Sequence, residues 1–234
     1  MKCRIADFNI EIKHRGGLIK RLCEKYLCDF DQADFILEAS DEDILREKKL
    51  LGTGRKSYLE AVALARQLAY LLPGRDAFLL HAATFQVDDR TVALLAKSGT
   101  GKSTHMMLYK ELFGKRLRVI NGDKPIVRII DGKPYAYGSP WCGKEGMSEN
   151  VGAPLTDIGF INRSDENKTV YLAEKSEAAE KLLSQVLMPE GSENLLKILD
   201  LVDATAKNCS FWSIFCDTSL SSAEISSRTI FEVK

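Results

Sequence analysis

One lysine, two hydroxyls and an aspartate stand in an order that suits phosphate and metal chemistry. The run Ala96-Lys97-Ser98-Gly99-Thr100-Gly101-Lys102-Ser103-Thr104 follows the apolar stretch Val92-Ala93-Leu94-Leu95-Ala96 and opens a segment of helical character reaching Phe113. Gly99 and Gly101 allow a sharp turn and a close backbone approach to a ligand. Backbone N–H groups at a helix start, together with the helix dipole, make such a turn an anion site. Lys102 is placed to reach the β- and γ-phosphates of a nucleotide, and the Ser103 hydroxyl to sit on Mg²⁺. The expected ligands are therefore ATP and Mg²⁺, with Ser98, Gly99, Thr100, Gly101, Lys102, Ser103 and Thr104 as the nucleotide-binding residues. The pattern G-x-x-x-x-G-K-[ST] carries Ala96 in place of its first glycine, which a negative φ tolerates.

Other residues could complete such a site. Asn121-Gly122-Asp123 ends an apolar stretch beyond the loop helix, where a second metal-side carboxylate is needed, so Asp123 is read as a Mg²⁺ ligand and catalytic group. Lys124, next to it, adds positive charge. His81 ends a strand expected to pair with the one delivering the loop, which suits phosphate contact or proton handling. Gly138-Ser139-Pro140-Trp141-Cys142-Gly143-Lys144-Glu145-Gly146 reads as an acceptor-binding loop. Trp141, Lys144 and Glu145 would meet the acceptor there, and Lys144 would also balance charge on the moving phosphoryl group. Asn162-Arg163-Ser164-Asp165 resembles the guanine-reading N-K-x-D run only faintly: its lysine is replaced, and no D-x-x-G lies between it and the loop.

The elements that must position these groups follow from periodicity. Ile10 and Ile12 alternate with polar neighbours as in a strand, Leu18 to Leu27 keep helical spacing, and Phe35-Ile36-Leu37 is a short strand. A helix is expected from Tyr58 to Leu72, with Leu59, Val62, Ala63, Ala65, Ala69 and Leu72 inward and Pro73-Gly74 as its stop. Phe78 to Ala83 and Val92 to Ala96 form a hairpin around Asp88-Asp89-Arg90, running directly into the glycine loop. Leu117 to Ile120 is a strand, and Ile126 to Ile130 with Lys133 to Tyr137 make a hairpin at Asp131-Gly132. Strands at Ile158–Ile161 and Thr169–Leu172 follow. Then come helices at Ser176–Leu187 and Glu193–Ala206 separated by Pro189 and Gly191, a strand at Phe211–Phe215, and a closing helix. The expected fold class is α/β, with an α+β cap over residues 1–75 and a hairpin-rich nucleotide-binding core over 76–234, packed as one compact unit.

Composition narrows the classes. With 234 residues, 45% of them hydrophobic, the chain can bury a proper core. Lys plus Arg and Asp plus Glu are 33 each, and no basic stripe points to nucleic acid. No apolar run approaches the ~18 residues of a membrane span. Met1 to Asp7 lacks a signal-peptide pattern, so a cytoplasmic location is expected. The six cysteines have no C-x-x-C spacing and read as reduced thiols; with three scattered histidines they form no metal-site pattern.

The order His81-Ala82-Ala83, Ser98 to His105, Asn121 to Pro125, then Tyr137 to Lys144 resembles the HPr-kinase-like proteins, which share a nucleotide fold with the phosphoenolpyruvate carboxykinases. It is especially similar to small bacterial members that lack the regulatory N-terminal domain. The likeness covers residues 77–220, and the N-terminal part matches loosely. It implies a mixed sheet carrying a phosphate loop, and a kinase moving phosphate from ATP or another donor to a hydroxyl. Lys102 and Ser103 match nucleotide and Mg²⁺ ligands, His81 matches an active-site histidine, and Asp123 matches the second of two adjacent aspartates. The first of that pair, the family's base, is Gly122 here. Three readings follow: Asp123 serves twice, or Glu60, Glu145 or Asp203 supplies the base, or catalysis is weakened, since a missing general base costs ~10²–10⁴-fold. Restoring it by Gly122→Asp is then expected to raise the rate.

The expected function is ATP-dependent phosphorylation of a hydroxyl on a small molecule, such as a polyol like inositol or free serine. The alternatives are a seryl kinase acting on a peptide or protein, and a nucleotide-binding regulatory protein without transfer activity. Expected partners are the nucleotide and acceptor, with no nucleic acid and no membrane; the family likeness makes self-association an expectation too.

Overall fold

The computed structural model describes residues 1–189 and 192–231. The first strands are β1 (Lys2–Ile5) and β2 (Phe8–Lys13), an antiparallel hairpin whose tip residues Ala6 and Asp7 both have positive φ. Then follow α1 (Gly17–Leu22), β3 (Phe35–Glu38), α2 (Asp41–Leu51) and α3 (Lys56–Leu71). β3 pairs parallel to β2, completing a three-stranded sheet in the order β1-β2-β3. Helix α2 was not expected from periodicity. Its apolar face is thin because Glu47, buried, points inward beside Ile44 and forms an ion pair with Arg66 of α3. Its start is set by a reciprocal capping box between Ser40 and Asp43, and its end by Gly52 in the left-handed region. The helix expected over Leu18–Leu27 is shorter, with a 3₁₀ turn at Glu24–Tyr26.

The chain continues through β4 (Ala77–Leu79), β5 (Ala82–Val87), β6 (Arg90–Leu95), α4 (Lys102–Phe113), β7 (Leu117–Asn121), β8 (Ile126–Ile130), β9 (Lys133–Tyr137) and β10 (Gly152–Pro154). It ends with β11 (Asp157–Arg163), β12 (Lys168–Tyr171), α5 (Lys175–Leu183), α6 (Ser192–Asn208), β13 (Ser210–Cys216) and α7 (Leu220–Phe231). Gly191, expected to separate two helices, lies outside the described residues.

The architecture is α/β with mixed sheets. A four-stranded sheet runs β10-β9-β8-β4 and a six-stranded sheet β12-β13-β11-β6-β5-β7. Within the second, β6, β11 and β13 are parallel and the rest antiparallel. The single strand expected over Phe78–Ala83 is in fact two: β4 belongs to one sheet and β5 to the other, and the chain crosses between them at Leu80-His81. Leu80 bridges to Val186, and the Leu187 N–H donates to the Leu79 carbonyl at 2.9 Å. That pairing ends α5 four residues before the expected Leu187.

Alternation divides the core. Ala77, Leu79, Ile126 and Tyr137 of the four-stranded sheet pack toward α3 and the N-terminal sheet, whereas Phe78, Val127 and Ala136 face α5 and α6. Ala93, Leu95, Ile158, Phe160 and Phe211 of the six-stranded sheet join that second cluster. Its other face, with Phe85, Leu94, Trp212 and Ile214, is covered by α4 and α7. One buried carboxylate locks the start of β11: Asp157, wholly inaccessible, accepts from Arg90 at 2.6 and 3.0 Å, from the Trp212 indole at 2.8 Å and from the Thr156 hydroxyl at 2.7 Å. No helix among the described residues is long and apolar enough to cross a membrane, and all six cysteines are free thiols.

Candidate active site

The glycine loop leaves the C-terminal end of β6 and enters α4 at Lys102. Gly99 (φ 78°) and Gly101 (φ 123°) take backbone conformations that side chains resist, which explains both glycines. Ala96 has negative φ, so its methyl group is accommodated as the sequence required. Ser103 stands in the first turn of α4, half-buried, its hydroxyl unbonded to any described residue; Thr104 is exposed. Ser98 is exposed on the loop.

Lys102 folds back beneath the loop. It is 7% exposed, and its ammonium donates to the Ala96 carbonyl at 2.9 Å and lies 3.1 Å from His81 Nε2. Burial lowers the lysine's pKa, and Asp123 opposes that shift. His81 sits on the crossing between the sheets rather than within a strand; its N–H donates to the Gln185 carbonyl at 2.8 Å, which fixes the ring's base. The same Nε2 is 3.3 Å from Asp123 Oδ1. One imidazole nitrogen thus lies between a cation and an anion. It can accept from Lys102 or donate to Asp123, not both at once, so movement of Lys102 toward a bound anion frees the ring to bond the aspartate.

Asp123 is placed by a residue that motif reading passed over. The wholly buried Asn121, at the end of β7, accepts from the N–H groups of Asp123 (2.8 Å) and Lys124 (2.7 Å) with Oδ1 and donates from Nδ2 to the Ser139 carbonyl (2.9 Å). The Asp123 carbonyl in turn accepts from the Ala82 N–H at 2.9 Å, tying this turn to the start of β5. Lys124 then closes on Asp123 Oδ2 at 2.7 Å. An Asx-type side chain two residues ahead of a carboxylate was the available signal. Burial pushes the Asp123 carboxyl up, but the His81 contact and the Lys124 ammonium outweigh it and hold the pKa at about 2, against 3.8 ordinarily. A depressed carboxyl stabilises the fold above its unfolded pKa and loses that contribution as pH falls from about 4 to about 2. We expect the Asp123 carboxyl carbon to show no NMR titration above about pH 3 in the wild type, and to titrate at higher pH in Lys124→Ala, where desolvation is less opposed. An unchanged midpoint would mean that Lys124 does not hold the carboxylate.

The loop over residues 138–146 reaches the cluster by its backbone. A Cβ on Gly143 would lie 3.1 Å from the Asp123 Cβ. Lys144 and Glu145 follow at the tip, both exposed and making no ion pair with a described residue. Trp141, expected to meet an acceptor, is 7% exposed; its indole donates to the Ala61 carbonyl of α3 at 2.7 Å and packs among N-terminal core residues, so its ring anchors the loop. Of the candidate bases, Glu60 accepts from the Arg15 N–H at 2.6 Å and Asp203 pairs with Lys207 on the surface of α6. Of the three, only Glu145 lies on the loop whose Gly143 approaches Asp123. Gly122 cannot simply be replaced: a Cβ there would lie 2.9 Å from the Cys142 carbonyl, so Gly122→Asp has to displace backbone. The rate gain expected for that substitution therefore does not isolate a missing base.

Two clefts flank the cluster. One, of about 220 Å³, includes His81, Lys124, Gln185 and Val186. The other, of about 390 Å³, lies on the α7 side of the glycine loop and includes Gly99, Thr100, Gly101, Thr104, Arg163 and Asp217. Among the described residues no group of three or more His, Cys, Asp or Glu side chains is arranged to hold a metal ion. A carboxylate and a hydroxyl are donor types that Mg²⁺ takes together with phosphate oxygens and water, but the Asp123 oxygens face His81 and Lys124 here and no hydrogen bond joins them to Ser103. Asp123 and Ser103 are the residues that would hold the ion.

No protein-family model matches this sequence, and no curated protein matches it. Among solved structures, the chain is similar to the Hpr(Ser) kinase/phosphatase from Coxiella burnetii, at 11% identity, covering 53% of this chain and 86% of that one, with a TM-score of 0.29. A likeness this slight says nothing of activity, and the reading of the site rests on the side chains described above.

Proposed function

We propose that this chain is a phosphotransferase that uses Mg-ATP to phosphorylate a hydroxyl. The observation that carries this reading is the meeting of His81, Lys102, Asp123 and Lys124, from three separate stretches of chain, directly beneath a glycine loop that opens a helix. Such a loop offers amides to the phosphates, and Lys102 exchanges the Ala96 carbonyl for a phosphate oxygen. Bound Mg²⁺ would neutralise charge on the β- and γ-oxygens. Lys124, already in contact with Asp123, supplies the positive charge that Lys144 was expected to bring, and Lys144 remains available at the tip of its loop. Asp123 stays ionised at neutral pH and, through His81, has a route for the acceptor proton.

The cleft beside His81 and Lys124, about 220 Å³ and lined also by Leu79, Leu80, Val186 and Leu187, has room for a small hydroxyl compound or for one seryl side chain of a peptide, so its size does not separate the two acceptors. Incubation with Mg-ATP and a panel of polyols, free serine and seryl peptides tests both levels. Transfer to a small hydroxyl compound is the expected result. Transfer only to peptides would replace the acceptor assignment, and nucleotide binding with no transfer to any of them would leave the regulatory reading.

A further inference from the structure

The run Asn162-Arg163-Ser164-Asp165 finds no place in the mechanism above, yet Arg163 touches its central element. Strand β6 stops at Leu95, opposite Phe160, while its parallel neighbour β11 runs on through Ile161 and Asn162 to Arg163. The overrun carries Arg163 past the end of β6, into the space where the glycine loop turns. There its Nε donates to the Thr100 carbonyl at 3.0 Å and its Nη2 to the Gly99 carbonyl at 2.5 Å. Two successive loop carbonyls are thus held by one planar fork. Lysine has no such fork.

The consequence follows from peptide geometry. In a trans peptide the C=O and the following N–H point in opposite directions. Holding the Thr100 carbonyl toward Arg163 turns the Gly101 N–H away from it, toward the inner side of the loop. Holding the Gly99 carbonyl does the same for the Thr100 N–H, which donates to the Lys97 carbonyl at 3.2 Å and tightens the turn. No described carboxylate pairs with the guanidinium, although Asp165 and Asp217 border the same cleft, so its charge adds to the loop's positive potential. We propose that Arg163 is a positioning residue that presets the glycine loop for a polyphosphate by clamping its outer carbonyls. This inference rests on the reading of the loop as a phosphate site.

The test uses the full chain, with inorganic tripolyphosphate and Mg-ATP as probes. Arg163→Ala should weaken tripolyphosphate binding about tenfold and speed amide exchange at Thr100 and Gly101, with little effect at the Asp157 end of β11. In turnover it should raise KM for ATP about tenfold with kcat changed less than about threefold. Arg163→Lys, which keeps the charge and loses the fork, should resemble Arg163→Ala, and added ethylguanidinium should partly restore the alanine variant alone. If wild type binds tripolyphosphate and both variants bind it equally well, the clamp is wrong while the loop reading stands. A lysine variant as good as wild type would reduce the effect to charge and also overturn it. A wild-type chain that binds neither probe removes the loop reading, and this inference with it.

Discussion

Lys102→Ala should lower phosphoryl transfer by at least ~10³-fold without destabilising the chain, because Lys102 contributes charge at the reacting phosphate. The two halves of this expectation belong together. Lys102 is 7% exposed and burial lowers its pKa, so the folded protein bears the cost of a partly desolvated cation with Ala96, His81 and the nearby Asp123 to offset it. Removing it relieves that cost, and the melting temperature of the ligand-free variant should stay level or rise. A side chain kept for packing would show the reverse pattern. Turnover retained within about tenfold would contradict the site assignment. A steep loss of stability with unchanged nucleotide affinity would make Lys102 structural.

The largest expected effect on stability lies at the opposite end of the parallel strands. Asp157→Ala removes the carboxylate that Arg90 grips at two points and that the Trp212 indole and Thr156 hydroxyl also bond. The guanidinium of the three-quarters-buried Arg90 side chain and the indole N–H are then left without their acceptor. Breaking one partner of such a pair costs about 3–5 kcal/mol. For a chain of this size that is a fall in melting temperature of roughly 6–20 °C. The double variant Arg90→Met with Asp157→Leu should recover much of the loss, since neither charge then remains buried. A single variant within about 1 kcal/mol of wild type would show that the pair is solvated in solution.

The contrast between these two lysine- and aspartate-centred sites shows what the sequence discloses. The strand, turn and helix start around the glycine loop were legible because their signals are local, lying within one short run, and Gly99 and Gly101 have the positive φ that such a turn demands. The hairpin at Asp131-Gly132 was legible for the same reason, both tip residues taking positive φ. Helix α2 escaped because its inward face carries Glu47, a charge that finds Arg66 only through tertiary packing, although Ser40 and Asp43 announced its start. The division of Phe78–Ala83 between two sheets escaped because it depends on which strands lie alongside, Ile126 to Arg128 for the first half and Thr91 to Leu95 for the second. That division is what brings His81 out of a sheet and up to Asp123.

Within the candidate site, the sequence pointed to His81, Lys102 and Asp123, which the fold brings together, and passed over the residues that aim them. Asn121 has no chemistry of its own here, and its importance comes from two N–H groups that follow it and a carbonyl 18 residues on. Arg163 depends on a register in which β11 outruns β6. Trp141 erred in the other direction: an aromatic among glycines reads as a binding surface, but the Ala61 carbonyl claims its indole. Gly122 reads as a lost aspartate, and the structure adds a second reason for glycine, the Cys142 carbonyl pressed against it.

In the proposed reaction the bend between Ala96 and Thr104 grips the phosphates of a nucleotide and hands the transferring group to His81 and Asp123. Its most direct test is a titration of the isotope-labelled chain with Mg-ATP, following backbone amide shifts residue by residue. Large shifts are expected at Gly99 through Thr104 and at Asp123, with the Lys102 ammonium leaving His81, all absent in Lys102→Ala. Saturating Mg-ATP that leaves those amides unmoved, or moves a different surface, would contradict this role for the bend.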